Sequence, residues 1–107
     1  MLAKANRVIR PEEFRAVVRR GRRHAAPEAV YYRLAREGMP VRFGFIVSRA
    51  VGGAVVRNKL RRRMRAVGRE LVDAGRSGED IVLRALPGSA ELSWTELSGR
   101  MRAELAR

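Results

Sequence analysis

Apolar positions along the chain switch period several times, and each switch marks an element. Pro11 suits the first turn of a helix, where its missing N–H has no partner to lose. Glu12 and Glu13 follow at the positive dipole end. Phe14, Val17 and Val18 share a face, Arg19 and Arg20 sit at the negative end, and Gly21 closes the segment, which predicts a helix over 11–20. The period then falls to two. Ala29 to Ala35 reads as a strand with Val30, Tyr32 and Leu34 on one face and Tyr31 and Arg33 on the other. Glu37 to Pro40 reads as a turn. Val41 to Ser48 reads as a second strand, with Val41, Phe43, Phe45 and Val47 on one face and Gly44 and Ile46 on the other. A short strand at Arg22–Ala26 precedes these two.

Gly52-Gly53 ends the strand pattern and a long helix runs from there to about Asp73. Val56, Leu60, Met64, Val67 and Leu71 form its apolar stripe, and Gly68 inside it costs roughly 1 kcal/mol against Ala. Residues 74–78 read as a loop, Ile81 to Ala85 as a strand ended by Leu86-Pro87-Gly88. Ser93 and Glu96 stand three apart, as a capping box requires, and open a last helix whose stripe is Trp94, Leu97, Met101 and Leu105. Trp94 is expected in the core. The order predicts an α+β fold, α-β-β-β-α-β-α, with one four-stranded mixed sheet and helices packed on it, in a single domain over 1–107.

Charge changes the picture from fold to partner. Of 24 Lys and Arg, 19 lie in residues 1–72 with only five acids, and six of the nine residues from Arg57 to Arg65 are basic. The net charge of +13 attracts polyanions, nucleic acid first and an anionic membrane surface second. With 46% hydrophobic residues the chain is not a disordered basic tail. No apolar run approaches the ~20 residues of a membrane span, and Met1 to Arg7 lacks the apolar core of a signal peptide. Cysteine is absent, which removes disulfides, thiolate zinc sites and cysteine nucleophiles and fits a reducing compartment; the expected location is cytoplasmic.

Catalysis by the polypeptide alone is hard to build. Asp73 and Asp80 are the only aspartates, His24 is the only histidine, and the turn Ser48 to Gly53 lacks the G-K-[ST] of a Walker loop. His24 reads as a partly exposed residue of an edge strand. The long helix is the sharper feature. With about 3.6 residues per turn, Arg57, Arg61 and Arg65 form one row and Arg62 and Arg69 a neighbouring one, able to follow phosphates, with Asn58 available to sugars or base edges. Glu70 is the only acid in this helix before its last residue. Arginine over lysine favours bidentate phosphate contacts and stacking on unpaired bases. Phe14 serves equally as core or as a stacking platform, whereas Tyr32 is expected outward, because its hydroxyl wants a wet neighbour.

The segment Gly52-Gly53-Ala54-Val55-Val56-Arg57-Asn58-Lys59-Leu60-Arg61-Arg62-Arg63-Met64-Arg65 resembles the signature of the protein subunit of bacterial ribonuclease P. The likeness extends to Arg7, Glu13-Phe14 and Gly21, to the tyrosine-containing strand at 29–35, to Gly78–Arg84 and to the closing helix. It implies an α+β sandwich with a left-handed βαβ crossover, against the usual hand. It implies a ribonucleoprotein endoribonuclease that removes the 5′ leader of precursor tRNA, with a catalytic RNA that holds most of the Mg²⁺ and no further protein partner required. Carried over, Arg49, Arg57, Asn58, Lys59, Arg61, Arg62 and Arg65 face the catalytic RNA. Phe14, Val18 and Tyr32 line a leader cleft between the first helix and the sheet, with Arg7 nearby. Lys59 stands where Arg is usual, Gly53 where Asn is common, and Val18 where an aromatic is frequent. The rival readings are a non-catalytic RNA-binding module, faintly echoed in Arg42 to Val47, and a ribosome-associated or DNA-binding basic protein.

Overall fold

The computed structural model describes residues 2–107. Helix α1 spans Pro11–Arg20, followed by strands β1 (Arg22–Ala25), β2 (Ala29–Pro40) and β3 (Arg42–Ile46). Helix α2 spans Ala54–Asp73, β4 Ser77–Ala85 and α3 Trp94–Leu105. The strands form one sheet in the order β1-β2-β4-β3, antiparallel except for the parallel pair β3–β4. The β3–α2–β4 unit is the parallel crossover. A short stretch of the N-terminal segment extends the sheet beyond β3: Val8 N–H donates to the Phe43 carbonyl at 2.9 Å, and the Asn6 side chain donates to the Val41 carbonyl at 2.8 Å.

Strand alternation sorts the core into two layers. On one face Tyr31, Phe43, Ile81 and Leu83 meet Leu60, Met64 and Val67 of α2 and Leu97, Met101 and Leu105 of α3. On the other, Val30, Tyr32 and Val82 meet Val17 of α1 and Val8. Trp94 is half-buried against the larger layer. Burial of these side chains supplies most of the folding drive, at roughly 25 cal/mol per Å² of apolar surface.

Local signals survive folding intact. Pro11 opens α1, and Glu13 reaches back to accept from Arg10 N–H at 3.0 Å. Ser93 and Glu96 form the reciprocal capping box of α3. Long-range contacts shift other boundaries. The expected turn at 37–40 belongs to β2, and the expected loop at 74–78 yields to β4 from Ser77, because Pro40 pairs with Ser77 across a bulge. Cross-strand ion pairs hold these polar ends extended: Arg33 to Glu79 at 3.0 Å and Arg36 to Asp80 at 3.2 Å. The second strand is shorter than expected, because residues 49–51 turn into a 3₁₀ helix. Val56 leaves the apolar stripe of α2: it abuts Gly52 in the first turn and stays 41% exposed.

Gly68 is not a defect in α2. A methyl group there would stand 3.3 Å from Leu2 Cδ1 and 3.4 Å from the Phe43 ring, so the missing side chain lets the helix close on the sheet.

Ion pairs clamp the helices to the sheet. Arg42 of β3 makes a bidentate pair with Asp80 of β4 (2.9 and 2.7 Å) and a third bond to Glu13 of α1 at 2.6 Å. Asp80 is only 3% exposed, so this pairing satisfies a carboxylate that burial alone would penalise. On the far face, the Tyr31 hydroxyl donates to buried Glu28 at 2.7 Å, and Arg100 of α3 stands 3.7 Å from the same carboxylate. Burial, then the Glu28 bond, pushes the Tyr31 phenol above its ordinary range.

The bond from Arg10 N–H, followed by that from Arg42, holds the Glu13 carboxyl down at about 2 against an ordinary 4.5. A depressed carboxylate stabilises fully above its unfolded value and loses that contribution as pH falls through its folded one. Glu13→Gln is therefore expected to cost about 1 kcal/mol at neutral pH, the scale of a partly exposed ion pair. Denaturant unfolding in a pH series should show the wild-type advantage fading between pH 4.5 and about 2.

Candidate nucleic-acid interface

Helix α2 is anchored by one side and charged on the rest. With Leu60, Met64 and Val67 buried, helical geometry turns Asn58, Lys59, Arg62 and Arg65 to solvent. Arg57 and Arg61 flank the buried stripe and are half-buried. Arg57 Nε is shut off from solvent without a hydrogen-bond partner. Arg61 donates to the Val47 carbonyl and to Asn58 Oδ1, both at 3.3 Å. The row Arg57–Arg61–Arg65 thus runs from the core edge outward, while Arg62 stands beside Arg65 in the open. Arg69 departs from the ladder: Asp73, one turn on, takes it at 3.0 Å. Arg49 is exposed in the turn before the helix.

Among the described residues, no carboxylate pairs with Arg57, Lys59, Arg61, Arg62, Arg63 or Arg65, nor with Arg49. Arg33, Arg36, Arg42, Arg76 and Arg102, by contrast, have acidic partners. A merely solvated basic face intersperses its signs. This one keeps like charges adjacent, which is stabilised when a polyanion replaces the counterions.

The second feature is a groove between α1 and the β3 side of the sheet. Its centre is the Phe14 ring, which lies directly on the backbone of Gly44. A Cβ at Gly44 would stand 2.5 Å from Phe14 Cε1, so only glycine gives the ring this seat. Phe14, Val18 and Ile46 are half-buried and leave an apolar floor. One end opens past Ile9 and Arg61. The other is flanked by Arg15, Arg19 and Arg84. Arg7 is exposed two residues before Ile9.

Tyr32 is not the outward platform expected of it. The ring is 4% exposed, packed in the layer beneath α1, and the Arg84 guanidinium carbon lies 5.6 Å over its centroid. Strand alternation puts Tyr32 on the right face of β2, but it cannot tell which face a helix will cover. The surface at this point belongs to Arg84, which the sequence motifs do not single out. The available signal is alternation along β4, which puts Val82 and Arg84 on the face that α1 covers. Phe14 and Val18 do come together in the groove, while the α2 cations form the neighbouring surface. Arg61 is common to both.

Among the described residues no three acidic or histidine side chains converge. Asp80 and Glu13, the carboxylates at the joint of α1 and the sheet, are bound by Arg36 and Arg42. No described helix is long and apolar enough to cross a membrane.

Fold and surface together define a class: a small α+β scaffold that offers an uncompensated basic helix and an apolar, arginine-rimmed groove to nucleic acid. Comparison with known proteins narrows it. The profile of the family described as Ribonuclease P matches residues 2–107. The chain is 44% identical over 108 residues to the Ribonuclease P protein component of Clavibacter michiganensis, covering 100% of this chain and 96% of that one. It is 42% identical to that of Streptomyces avermitilis, covering 100% and 94%. Among solved structures, the RNase P protein of Staphylococcus aureus superposes with a TM-score of 0.86 at 23% identity over 96% of this chain and 94% of that one. The Thermotoga maritima protein gives 0.81 at 24% identity over 92% and 94%. The chain belongs to the ribonuclease P protein family, the protein components of an endoribonuclease ribonucleoprotein that processes tRNA. Its α+β fold, with one mixed four-stranded sheet and three helices, is the fold of that family.

The seat of Phe14 is open to a direct test. Gly44→Ala is expected to push the ring off the sheet at a cost of about 1–2 kcal/mol, the scale of a modest overpacking. Thermal unfolding would read the cost, and ring-proton contacts in NMR spectra would read the displacement.

Proposed function

We propose that α2 and the turn before it seat the catalytic RNA of ribonuclease P, and that the groove takes the 5′ leader of precursor tRNA. The observation that carries this reading is the run of cations from Arg57 to Arg65, without a carboxylate partner among the described residues, side by side with an apolar groove. In this reading Arg62, Arg65 and Lys59 track phosphates, Asn58 reaches sugars or base edges, and Arg49 extends the contact beyond the helix. Arg57 and Arg61, held at the core edge, are positioned with less freedom to lose on binding. Phe14 and Val18 form the floor on which leader nucleotides rest, Arg7 stands at the entrance, and Tyr32 supports the groove from beneath. Val18, in place of an aromatic, supplies apolar contact without a stacking plane.

Mg²⁺ belongs in this scheme to the RNA's phosphates. The chain's part is electrostatic: it lowers the repulsion between two RNA backbones and so reduces the Mg²⁺ they need. The workplace is the cytoplasm.

Reconstitution tests the reading. The chain mixed with ribonuclease P RNA at low Mg²⁺ should stimulate cleavage of precursor tRNA, and no stimulation across a Mg²⁺ series would defeat the proposal. Arg62→Ala with Arg65→Ala should weaken RNA binding and flatten its dependence on log salt by about 0.7–0.9 for each phosphate no longer neutralised. Both side chains are exposed, so melting should be unaffected; an unchanged slope would show that they do not touch phosphate.

A further inference from the structure

We propose that Arg84 is the stacking plane of the groove, on which an unpaired base of the leader lies, with Tyr32 as the buried backing of that plane. The inference rests on the leader reading above and assigns a residue to it.

Four observations carry it. Arg84 projects from β4 on the face that α1 partly covers, and it flanks the groove with Phe14, Val18 and Ile46. The guanidinium lies over the Tyr32 ring, 5.6 Å from its centroid, which restrains it by a cation–π contact. The residue is nonetheless exposed, so the side of the group away from Tyr32 is free to meet a ligand. Among the described residues no carboxylate pairs with Arg84, although Glu79 and Asp80 stand on the same strand; those two serve Arg33, Arg76, Arg36 and Arg42.

The chemistry of the surroundings fits a nucleotide. A guanidinium is planar and weakly hydrated, so it stacks on a base as an ammonium cannot. Arg15 and Arg19 stand one turn apart on α1 across the groove, also without acidic partners among the described residues, and can meet the phosphates on either side of a base held against Arg84. The pair Tyr32–Arg84 performs as two layers what an exposed aromatic does as one. It also keeps a tyrosine out of water, and it adds a positive charge that a bare ring lacks. Stacking of this kind tolerates any base, because every base has a π-face.

The test uses the reconstituted ribonucleoprotein with precursor tRNA and with mature tRNA. Arg84→Lys keeps the charge and removes the plane. It should weaken precursor binding about tenfold, the lower part of the range for one stacked base, and leave mature tRNA unaffected. Arg84→Met, which keeps aliphatic cover over Tyr32, should do the same, with thermal unfolding of both variants monitored to show that the fold is retained. Abasic substitutions along the leader should cost wild type affinity at one position, and Arg84→Lys should lose nothing further there. If Arg84→Lys matches wild type while Arg84→Met weakens precursor binding and lowers its salt dependence, the contact is to a phosphate and the stacking role is refuted. Two variants indistinguishable from wild type refute it as well. A wild-type particle that binds precursor and mature tRNA equally overturns the leader reading itself, a result distinct from either of these.

Discussion

Scarcity of carboxylates governs this molecule. With 11 acids against 24 lysines and arginines, most cations must go without a partner, and the fold decides which. Several of the acids sit at joints between elements. Glu13 and Asp80 bind Arg42 and tie α1 to the sheet. Glu70 takes Arg102 and ties α2 to α3, Glu79 takes Arg33 and Arg76 beside the C-terminus, and Glu28 faces Tyr31 and Arg100. Apart from the exposed Glu70–Arg102 pair, these are partly shielded from water, where they stabilise more than pairs on open surface. What is left over is not random. Much of the uncompensated charge falls on the outer faces of α2 and along the rims of the groove. The same allocation that clamps the fold together thus creates the surface that needs a polyanion.

Such a surface requires a rigid base. Six like charges within nine residues of one helix repel one another, and a free peptide of this composition would not hold them in rows. The repulsion is offset by burial on the other side of α2, where Leu60, Met64 and Val67 are fully packed and Gly68 admits the Phe43 ring. Gly44 plays the matching role on the opposite face by seating Phe14. Both glycines act by absence: each removes a Cβ where an aromatic ring has to approach backbone. A Cβ at either would displace α2 or the floor of the groove without changing a side chain of either surface.

The division between what can and cannot be read from the sequence follows from range. The bounds of α1 are legible because Pro11, Glu13 and Gly21 act within a few residues of one another, and the start of α3 because Ser93 and Glu96 satisfy each other's backbone. The stripe of α2 is legible from Leu60 to Val67 and fails at Val56, where the first turn packs against Gly52. The ends of β2 and β4 are hidden, because Gly38 and the polar residues around it favour a turn locally and are overridden by pairing with residues some forty positions away. Tyr32 departs from expectation for the same reason: alternation gives its face, but the helix that covers that face is a tertiary fact. The basic motif points to the family and to most of the α2 surface, whereas Arg84 closes a matching segment that assigns it no role and gains its meaning only from the ring beneath it.

Arg61 joins the two surfaces, and its position constrains how they work together. It belongs to the basic row of α2, yet it lines the open end of the groove and is held there by the Val47 carbonyl at the end of β3. A strand that leaves the groove at this end passes straight onto the cations of α2 with no neutral gap. The two surfaces cannot shift relative to one another without breaking the packing of α2 on the sheet, since β3, which forms the groove's wall, also carries Phe43, which α2 covers. One polyanion laid on α2 and another drawn through the groove, as the proposed function has it, would therefore be held at a fixed separation by a close-packed core. Under the proposed function, the positive charge between them, where their mutual repulsion would be greatest, is the means by which the chain assists the ribonucleoprotein.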